Sequence, residues 1–386
     1  MKILFVIGTR PEAIKLCPVV RGFRQAHGFE VLVCLTAQHR DMLDQVLEAF
    51  RVRADEDLNL MQPGQTLSQT TARIIAAMEP VVAKHRPDLI VVQGDTTTTL
   101  CGALAGFYAR IPVAHVEAGL RTGDLSQPFP EELNRVLVTR LTAIHFAATP
   151  AAADNLRAEQ VPEDAIFVTG NSGIDAVLQV QDSLVRGEIK PPVVPAIDPS
   201  KRLILVTAHR RESFGEPLEN ICAALLRLAS RADVQIVYPV HPNPNVTGPA
   251  RRNLGGHPRI QLIEPLDYLS FVAFMRRAYI LLTDSGGIQE EGPSLGKPVL
   301  VMRDKTERPE AVHAGTAVLV GPNQERIVRE VELLLDNEVE YQRRARMHNP
   351  YGDGHATERM IAAVRKFFGE ECKVQSAGQE AYPTSR

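Results

Sequence analysis

The sequence contains few cysteines and no long apolar run, and each shortage excludes a class of protein. The cysteines are widely spaced, odd in number and never paired as C-x-x-C: Cys17, Cys34, Cys101, Cys222 and Cys372. This usage predicts reduced thiols instead of a disulfide framework. No stretch reaches the roughly 20 apolar residues that a bilayer-spanning helix needs, and the apolar run at residues 3–7 is too short for a signal peptide. We therefore expect a soluble cytoplasmic protein without a membrane partner.

Two further shortages concern ligands. The 43 Lys and Arg residues nearly balance the 46 Asp and Glu residues, for a net charge of −3, so we expect no nucleic acid partner. The G-x-G-x-x-G fingerprint is missing, and the glycines at 292 and 296 are spaced one residue too closely for an ATP-binding loop. His115 and Glu117 match half of a zinc-deaminase signature whose cysteine half is missing. We expect neither a cofactor nor a metal.

The chain of 386 residues with 44% hydrophobic content exceeds the size at which single cores stop growing, so we expect two domains. Short, continuously apolar runs alternate with segments of helical period, which is typical of parallel strands covered by helices. The runs lie at 3–7, 31–35, 89–92, 111–115, 144–147 and 166–168, and again at 203–206, 234–238, 260–263, 280–283, 299–302 and 317–320. The sequence thus predicts an α/β fold of two Rossmann-like domains that face a central cleft.

The predicted domain boundary lies at Gly170, before a predicted helix at 174–185 and a helix-hostile proline segment. The first domain comprises residues 1–170 and the second residues 171–354. A helix at about 355–369 is expected to pack back on the first domain. The polar tail, 370–386, is expected to be disordered.

Ligands of open α/β sheets bind outside the carboxyl ends of the strands, so candidate site residues directly follow the apolar runs. Gly8 permits a tight turn after the first run, and Arg10 follows at a helix amino terminus, which favours anions. Lys15 lies one turn further along. Residue types alone leave two readings open: anion ligands, or solvated cations on a capped helix.

Three carboxylates follow later strands of the first half. Asp95 precedes four threonines, a poor first turn for a helix, and this favours a functional role over a simple N-cap. Glu117 follows the next strand, and Glu131 lies in the first turn of the helix after that. Each alone is more often structural than catalytic. One cleft that holds all three would raise their pKa values and suit proton transfer.

The second half supplies groups that suit phosphate. His209 and Arg211 belong to a cluster of donors after its first strand, for which a solvated cationic loop is the alternative. Residues 285–287 open a helix after the fourth strand, where N–H groups and the helix dipole favour a diphosphate. Glu291 suits hydrogen bonds from a ribose, and Arg308 is placed to close over the phosphates.

Several long motifs now occur in order: GTRPEAIK (8–15), GDTTTT (94–99), HVEAGLRTGD (115–124), PFPEELNR (128–135), TAHRRES (207–213), DSGGIQEEGPSLGKPVL (284–300) and TERPEAV (306–312). Together they resemble the non-hydrolysing UDP-N-acetylglucosamine 2-epimerases from Met1 to about Phe368. The resemblance implies a glycosyltransferase-B architecture, a homodimer and an interdomain active site. It carries over Arg10, Lys15, Asp95, Glu117, Glu131, His209, Phe271, Ser285, Gly286, Gly287, Glu291 and Arg308.

For a second, activating substrate site the resemblance implies Gln38, Arg211 and His241. Asp41 and Gly64 depart from the family's residues at that site.

The resemblance further implies that UDP-N-acetylglucosamine and UDP are ligands and that C2 is inverted. We expect elimination of UDP to 2-acetamidoglucal, with Asp95, Glu117 and Glu131 beside the hexose and His209, Arg10 and Arg308 beside the diphosphate. The product would supply cell-surface polysaccharide. A hydrolysing epimerase, a UDP-sugar glycosyltransferase on the same architecture and a non-catalytic nucleotide-sugar sensor remain alternatives.

Overall fold

The computed structural model describes residues 1–36, 40–62, 64–189 and 197–369. The tail predicted to be disordered, 370–386, lies outside the described residues.

The first sheet consists of seven parallel strands in the order β3-β2-β1-β4-β5-β6-β7. The strands are β1 (Lys2–Ile7), β2 (Glu30–Leu35), β3 (Glu56–Asp57), β4 (Leu89–Gln93), β5 (Val113–Ala118), β6 (Ile144–Ala147) and β7 (Ile166–Val168). The helices between and after them are α1 (Arg10–Gln25), α2 (Arg40–Ala49), α3 (Leu67–His85), α4 (Thr97–Tyr108), α5 (Glu131–Leu141), α6 (Pro150–Ala158) and α7 (Ser172–Val185). The strand order reverses between β1 and β4, which marks the ligand-binding edge of such a sheet.

The second sheet has six parallel strands in the order β10-β9-β8-β11-β12-β13. The strands are β8 (Arg202–Thr207), β9 (Val234–Pro239), β10 (Ile260–Ile263), β11 (Ile280–Thr283), β12 (Val299–Val301) and β13 (Ala317–Leu319). The helices are α8 (Glu216–Ala229), α9 (Pro244–Leu254), α10 (Tyr268–Arg277), α11 (Gly286–Ser294), α12 (Pro309–His313), α13 (Gln324–Asp336), α14 (Glu338–Ala345) and α15 (Ala356–Phe367). The prediction of two parallel-sheet α/β domains is confirmed.

Two strands differ from the sequence prediction. The apolar run at 111–115 predicts a strand that ends before Glu117, whereas β5 runs from Val113 to Ala118 because its ladder with β4 continues to Val116 and that with β6 to Ala118. Strand β3 was not predicted, because its two residues, Glu56 and Asp57, carry no apolar signal. The remaining apolar runs became strands for the expected reason: residues 3–7 of β1 are each at most 1% exposed.

Helix α15 packs on α1 and α7. A Cβ atom added to Gly22 of α1 would lie 2.3 Å from Cγ2 of Thr357, and the Thr357 N–H donates to the Asp175 carboxylate of α7 at 2.8 Å. Arg365 donates to the carbonyl of His27 at 3.1 Å. Helix α7 itself contacts α1 on one side and α10 and α11 on the other. The domain boundary at Gly170 stays a prediction.

Close packing at the end of β5 predicts an unequal response of two glycines. Gly119 and Gly123 both have positive φ, +88° and +80°, but a Cβ on Gly119 would lie 2.1 Å from the Ala152 carbonyl oxygen, while nothing lies within 4 Å at Gly123. We expect Gly123→Ala to cost about 1 to 2 kcal/mol of unfolding free energy through backbone strain. Gly119→Ala should cost about 1 to 3 kcal/mol more through overpacking. Urea denaturation of both variants measures the difference, and equal losses would contradict the packing described.

Candidate functional site

A cleft of about 510 Å³ lies between the two sheets. Helix α1 contributes Arg10 and Lys15 to one wall. The guanidinium of Arg10 also reaches across to the Leu266 carbonyl at 3.4 Å. The second domain supplies most of the other wall, including the predicted residues His209, His241, Phe271, Ser285, Gly287, Glu291 and Arg308.

Arg10 and Lys15 are not solvated cations on a capped helix, although the helix is capped. Thr9 and Glu12 form a capping box at the start of α1. Burial lowers the pKa of Arg10, against the nearby charges of Asp267 and Glu291. Lys15 is 17% exposed and donates to Oε1 of Glu117 at 2.5 Å. The reading as two solvated cations is therefore wrong.

Two of the predicted carboxylates are bound by cations next to this cleft. Asp95 accepts from Nε and Nη2 of Arg135 at 3.0 and 2.7 Å. It is not the N-cap of α4, since Thr96 fills that role. Glu117 binds Lys15, and its Oε1 lies 4.0 Å from Nη2 of Arg308.

Glu131 opens α5, one turn before Arg135, and is half-buried. Asp95, Glu117 and Glu131 are not among the described residues that line the 510 Å³ cleft. Glu117 adjoins it through Lys15 and Arg308, whereas Asp95 and Glu131 are linked to each other through helix α5.

The charge pattern corrects the expectation that three carboxylates raise one another's pKa values. Burial alone would raise the pKa of Glu117, but Lys15 and Arg308 outweigh it and hold that pKa below its ordinary value. Of the acids that line the cleft, Glu291 has a raised pKa, at about 8, because of burial and the charge of Glu290. Cations therefore line both walls of the cleft, and Glu290 and Glu291 add carboxylates to the wall of the second domain, so that the walls do not divide into an acidic and an electropositive one.

His209 is held by the carboxylate of Asp284, which is fully buried. The backbone N–H groups of His209 and Arg210 donate to Oδ2 of Asp284 at 2.7 and 2.8 Å. Burial lowers the pKa of His209, although Asp284 acts in the other direction. The imidazole also stacks on His241, with ring centroids 5.6 Å apart. The His209 imidazole therefore faces the cleft with its backbone bound by Asp284 and its ring stacked on His241.

The amino terminus of α11 forms an anion site opposite this histidine. Ser285 caps the helix, and Gly286 and Gly287 form its first turn. A Cβ atom on Gly286 would lie 3.9 Å from Nη2 of Arg210 and 4.0 Å from Nη2 of Arg308. Two guanidinium groups thus converge on a helix terminus whose dipole already favours negative charge, and the arrangement suits a diphosphate.

Several residues of this site were not predicted in their roles. Glu290 accepts from Nε of Arg308 and from Asn171 at 2.9 Å, and Gln93 donates to Oε2 of Glu117. Arg135 holds Asp95. Signals for two of them were present, since Arg135 follows Glu131 by one helical turn and Gln93 directly precedes Gly94 and Asp95.

The residues implied for an activating site are only partly placed. His241 lines the cleft, whereas Arg211 lies in a short 3₁₀ turn outside the lining. Gln38 and the side chain of Asp41 lie outside the described residues. Gly64 has a φ of +74°, and a Cβ atom there would meet nothing within 4 Å.

Within the described ranges, no group of three or more His, Cys, Asp or Glu side chains could hold a metal ion. No helix of the same ranges is long and apolar enough to span a bilayer.

Two parallel-sheet domains, with convergent cations and a helix terminus in the cleft between them, define a protein of the glycosyltransferase-B type. The profile of one family, UDP-N-acetylglucosamine 2-epimerase, matches residues 21–365. The chain is 56% identical over 371 residues to the UDP-N-acetylglucosamine 2-epimerase of Escherichia coli K12, covering 95% of this chain and 98% of the relative. The chain therefore belongs to the UDP-N-acetylglucosamine 2-epimerase family.

Solved structures agree with this assignment. The Neisseria meningitidis UDP-GlcNAc 2-epimerase bound to UDP-GlcNAc is 46% identical, with a TM-score of 0.87, and the match covers 95% of this chain and 100% of that one. The Methanocaldococcus jannaschii enzyme in complex with UDP-GlcNAc and UDP is 34% identical, with a TM-score of 0.77 and the same coverage.

The raised pKa of Glu291 predicts a stability that depends on pH. A carboxyl whose pKa rises from 4.5 to about 8 on folding stabilises the folded state fully below pH 4.5, and this contribution is lost as the pH rises through 8. Glu291→Gln removes the dependence. We compare the free energies of unfolding of variant and wild type by urea denaturation at about pH 5 and about pH 9. The stability of Glu291→Gln relative to wild type should be higher at about pH 9 than at about pH 5. The relative stability of Glu79→Gln, on the exposed surface of α3, should not change between the two pH values. A gain that is the same at both pH values would refute the raised pKa.

Proposed function

We propose that the protein interconverts UDP-N-acetylglucosamine and UDP-N-acetylmannosamine. Membership of the family and the solved complexes of its relatives support this substrate. The observation that carries the proposal is the Glu117 carboxylate held between Lys15 and Arg308 beside the cationic terminus of α11. A buried carboxylate beside donors that suit a diphosphate supports a sugar nucleotide as the substrate.

The reaction we propose is elimination followed by re-addition. The C2 proton is not α to a carbonyl, so an enolate cannot stabilise its removal. Departure of UDP from C1 instead develops positive charge on the sugar, and loss of the C2 proton then gives 2-acetamidoglucal. Protonation from the other face and return of UDP complete the inversion.

Each group of side chains has a proposed part in this reaction. Asp95, Glu117 and Glu131 share proton transfer and stabilisation of the positive charge, without a division of the two tasks among them. The leaving diphosphate is held by His209, Arg10, Arg308 and the turn at 285–287. Electrostatic stabilisation of developing charge is usually the largest single contribution to catalysis. Lys15 fixes Glu117, and Phe271 and Glu291 bind the nucleoside. Closure of the cleft keeps the glycal from water.

We also propose a cytoplasmic homodimer that supplies cell-surface polysaccharide synthesis. The exposed aromatic rings of Phe107 and Tyr108, 57% and 68% accessible at the end of α4, support an apolar contact between copies.

Exchange with solvent tests the reaction. We expect UDP-N-acetylglucosamine incubated in D₂O to acquire deuterium at C2 and to give both epimers as intact UDP-sugars, followed by NMR. Free N-acetylmannosamine with UDP would instead indicate a hydrolysing epimerase, and a product formed only with an added acceptor would indicate a glycosyltransferase. Bound but unlabelled substrate would contradict the proposal and favour a sensor.

The role of Asp95 is tested by replacing its carboxylate with the amide of asparagine. We expect Asp95→Asn to lower kcat by about a hundredfold or more, as the loss of a general base does. The matched control is Asp154→Asn, which also removes a carboxylate that is bound to an arginine, Arg157 at 2.7 Å, but on the surface of α6. Near-normal turnover of Asp95→Asn would remove this residue from the mechanism.

A further inference from the structure

We infer that Gln93 is a positioning residue of this reaction: its amide holds one oxygen of Glu117 while Lys15 holds the other, so that the carboxylate stays ionised and fixed beside Arg308. This inference rests on the proposed function and deepens it, because it assigns Glu117 to charge stabilisation instead of proton transfer. Neither the fold nor the phosphate site requires a hydrogen-bonding side chain at this position.

The two oxygens of Glu117 have different partners. Oε1 accepts from Nζ of Lys15 at 2.5 Å and lies 4.0 Å from Arg308, and Oε2 accepts from Nε2 of Gln93. The side chain of Glu117 is only 13% exposed. With both oxygens bound by donors, the ionised form of the carboxyl is favoured over the protonated form.

The backbone of Glu117 also fixes its direction. Its φ is +66°, a conformation that a residue with a side chain adopts only when its surroundings enforce it. The ladder between β5 and β6 shifts register between Val116 and Ala118, directly at Glu117. An irregularity of this kind redirects one side chain at a sheet edge, and here it sends the carboxylate toward Gln93 and Lys15.

The orientation of the Gln93 amide follows from charge. Gln93 is 3% exposed and ends β4, where it pairs with Val116 of β5. Its amide oxygen would repel the carboxylate, so the NH₂ group must face Glu117. Gln93 therefore stabilises the negative charge without adding a charge of its own.

The helix that follows Gln93 and the helix that carries Lys15 both begin at one buried carboxylate, Glu12. The hydroxyl of Thr99 donates to the Gln93 carbonyl at 2.6 Å, and the hydroxyl of Thr96 donates to Glu12 at 2.7 Å. Glu12 is 1% exposed and caps α1, the helix that carries Lys15. The run of threonines at the start of α4 thus joins the end of β4 to the capped start of α1.

Among the described residues, the cations that act on Glu117 come from three elements: Lys15 of α1, Arg135 of α5 and Arg308 before α12. The titratable ring of His115, on the same strand as Glu117, also interacts with it. Burial would raise the pKa of Glu117, and these cations lower it. Removal of a hydrogen bond to the charged form raises a pKa, and so does a second carboxylate in contact. Both changes can be made at Gln93 with little change in side-chain size.

The test compares Gln93→Met, which removes the donor, with Gln93→Glu, which places a second carboxylate against Glu117. We expect kcat to fall by about tenfold in Gln93→Met and further in Gln93→Glu, with KM changed by less than about threefold, because Gln93 does not contact the nucleotide cleft. The acid limb of the pH–rate profile should move up by about one unit or more in Gln93→Glu.

The matched control is Gln235→Glu, the same change at a buried glutamine of β9 whose amide oxygen accepts from the Asp198 N–H at 3.0 Å. It should leave kcat and the pH profile at wild-type values. A kcat of Gln93→Met within threefold of wild type would overturn the inference. So would a loss of kcat in both Gln93 variants that parallels a loss of thermal stability while the acid limb of the pH–rate profile stays in place. If Gln93→Glu does not fold, kcat and the acid limb of Gln93→Met decide.

A measurement without turnover separates this inference from the proposed function. The Glu117 carboxyl can be titrated by ¹³C NMR and assigned with Glu117→Gln. We expect it to titrate at higher pH in Gln93→Met than in wild type, whether or not the enzyme epimerises the substrate. Identical titration curves would overturn the role of Gln93, whereas a wild-type enzyme without C2 exchange would overturn only the proposed function.

Discussion

The cleft depends on the pairing of buried charges. Lys15 and Arg308 come from different domains and both approach Oε1 of Glu117, and Glu290 in turn binds Arg308. Removing charged groups from water is costly unless each finds a partner of opposite sign. The two domains therefore meet through a chain of ion pairs with alternating charges. A ligand diphosphate can extend this chain by forming an ion pair with Arg308.

The same pairing explains why the cleft is not divided into an acidic and a basic half. Glu290 and Glu291 lie on the helix whose amino terminus forms the anion site, so that the second domain carries negative charge beside its cations. Glu291, with a raised pKa of about 8, shows what burial does to a carboxylate without a sufficient cation. Glu117, with a lowered pKa, shows the opposite result a short distance away.

The backbone framework serves this arrangement. Parallel strands bring the ends of β4 and β5 to one edge, where Gln93 is the last residue of β4, Asp95 follows it closely and Glu117 is the penultimate residue of β5. The second sheet has a similar arrangement: Asp284, next to the end of β11, accepts a hydrogen bond from the backbone N–H of His209, which follows the neighbouring strand β8. In both domains a buried polar residue at or next to a strand end thus binds a residue from a neighbouring strand end, through the side chain of Glu117 in the first domain and the backbone of His209 in the second.

The sequence by itself determined the two parallel sheets and where the candidate residues lie along the chain. A short, β-branched apolar run such as residues 3–7, followed by Gly8, favours a strand buried on both faces, and the residues after such parallel strands then meet at one edge. It also determined the capped start of α1, because Thr9, Pro11 and Glu12 are close in sequence and their interaction is local.

Only the tertiary structure decided which charges are partners. Glu117 pairs with Lys15, 102 residues away, and Glu290 accepts from Asn171, 119 residues away, and no local pattern encodes such contacts. The direction of each pKa shift follows from these partners and from burial, so it could not be predicted from residue types. The strained φ of Glu117 likewise exists because two neighbouring strands enforce it, not because its own sequence favours it.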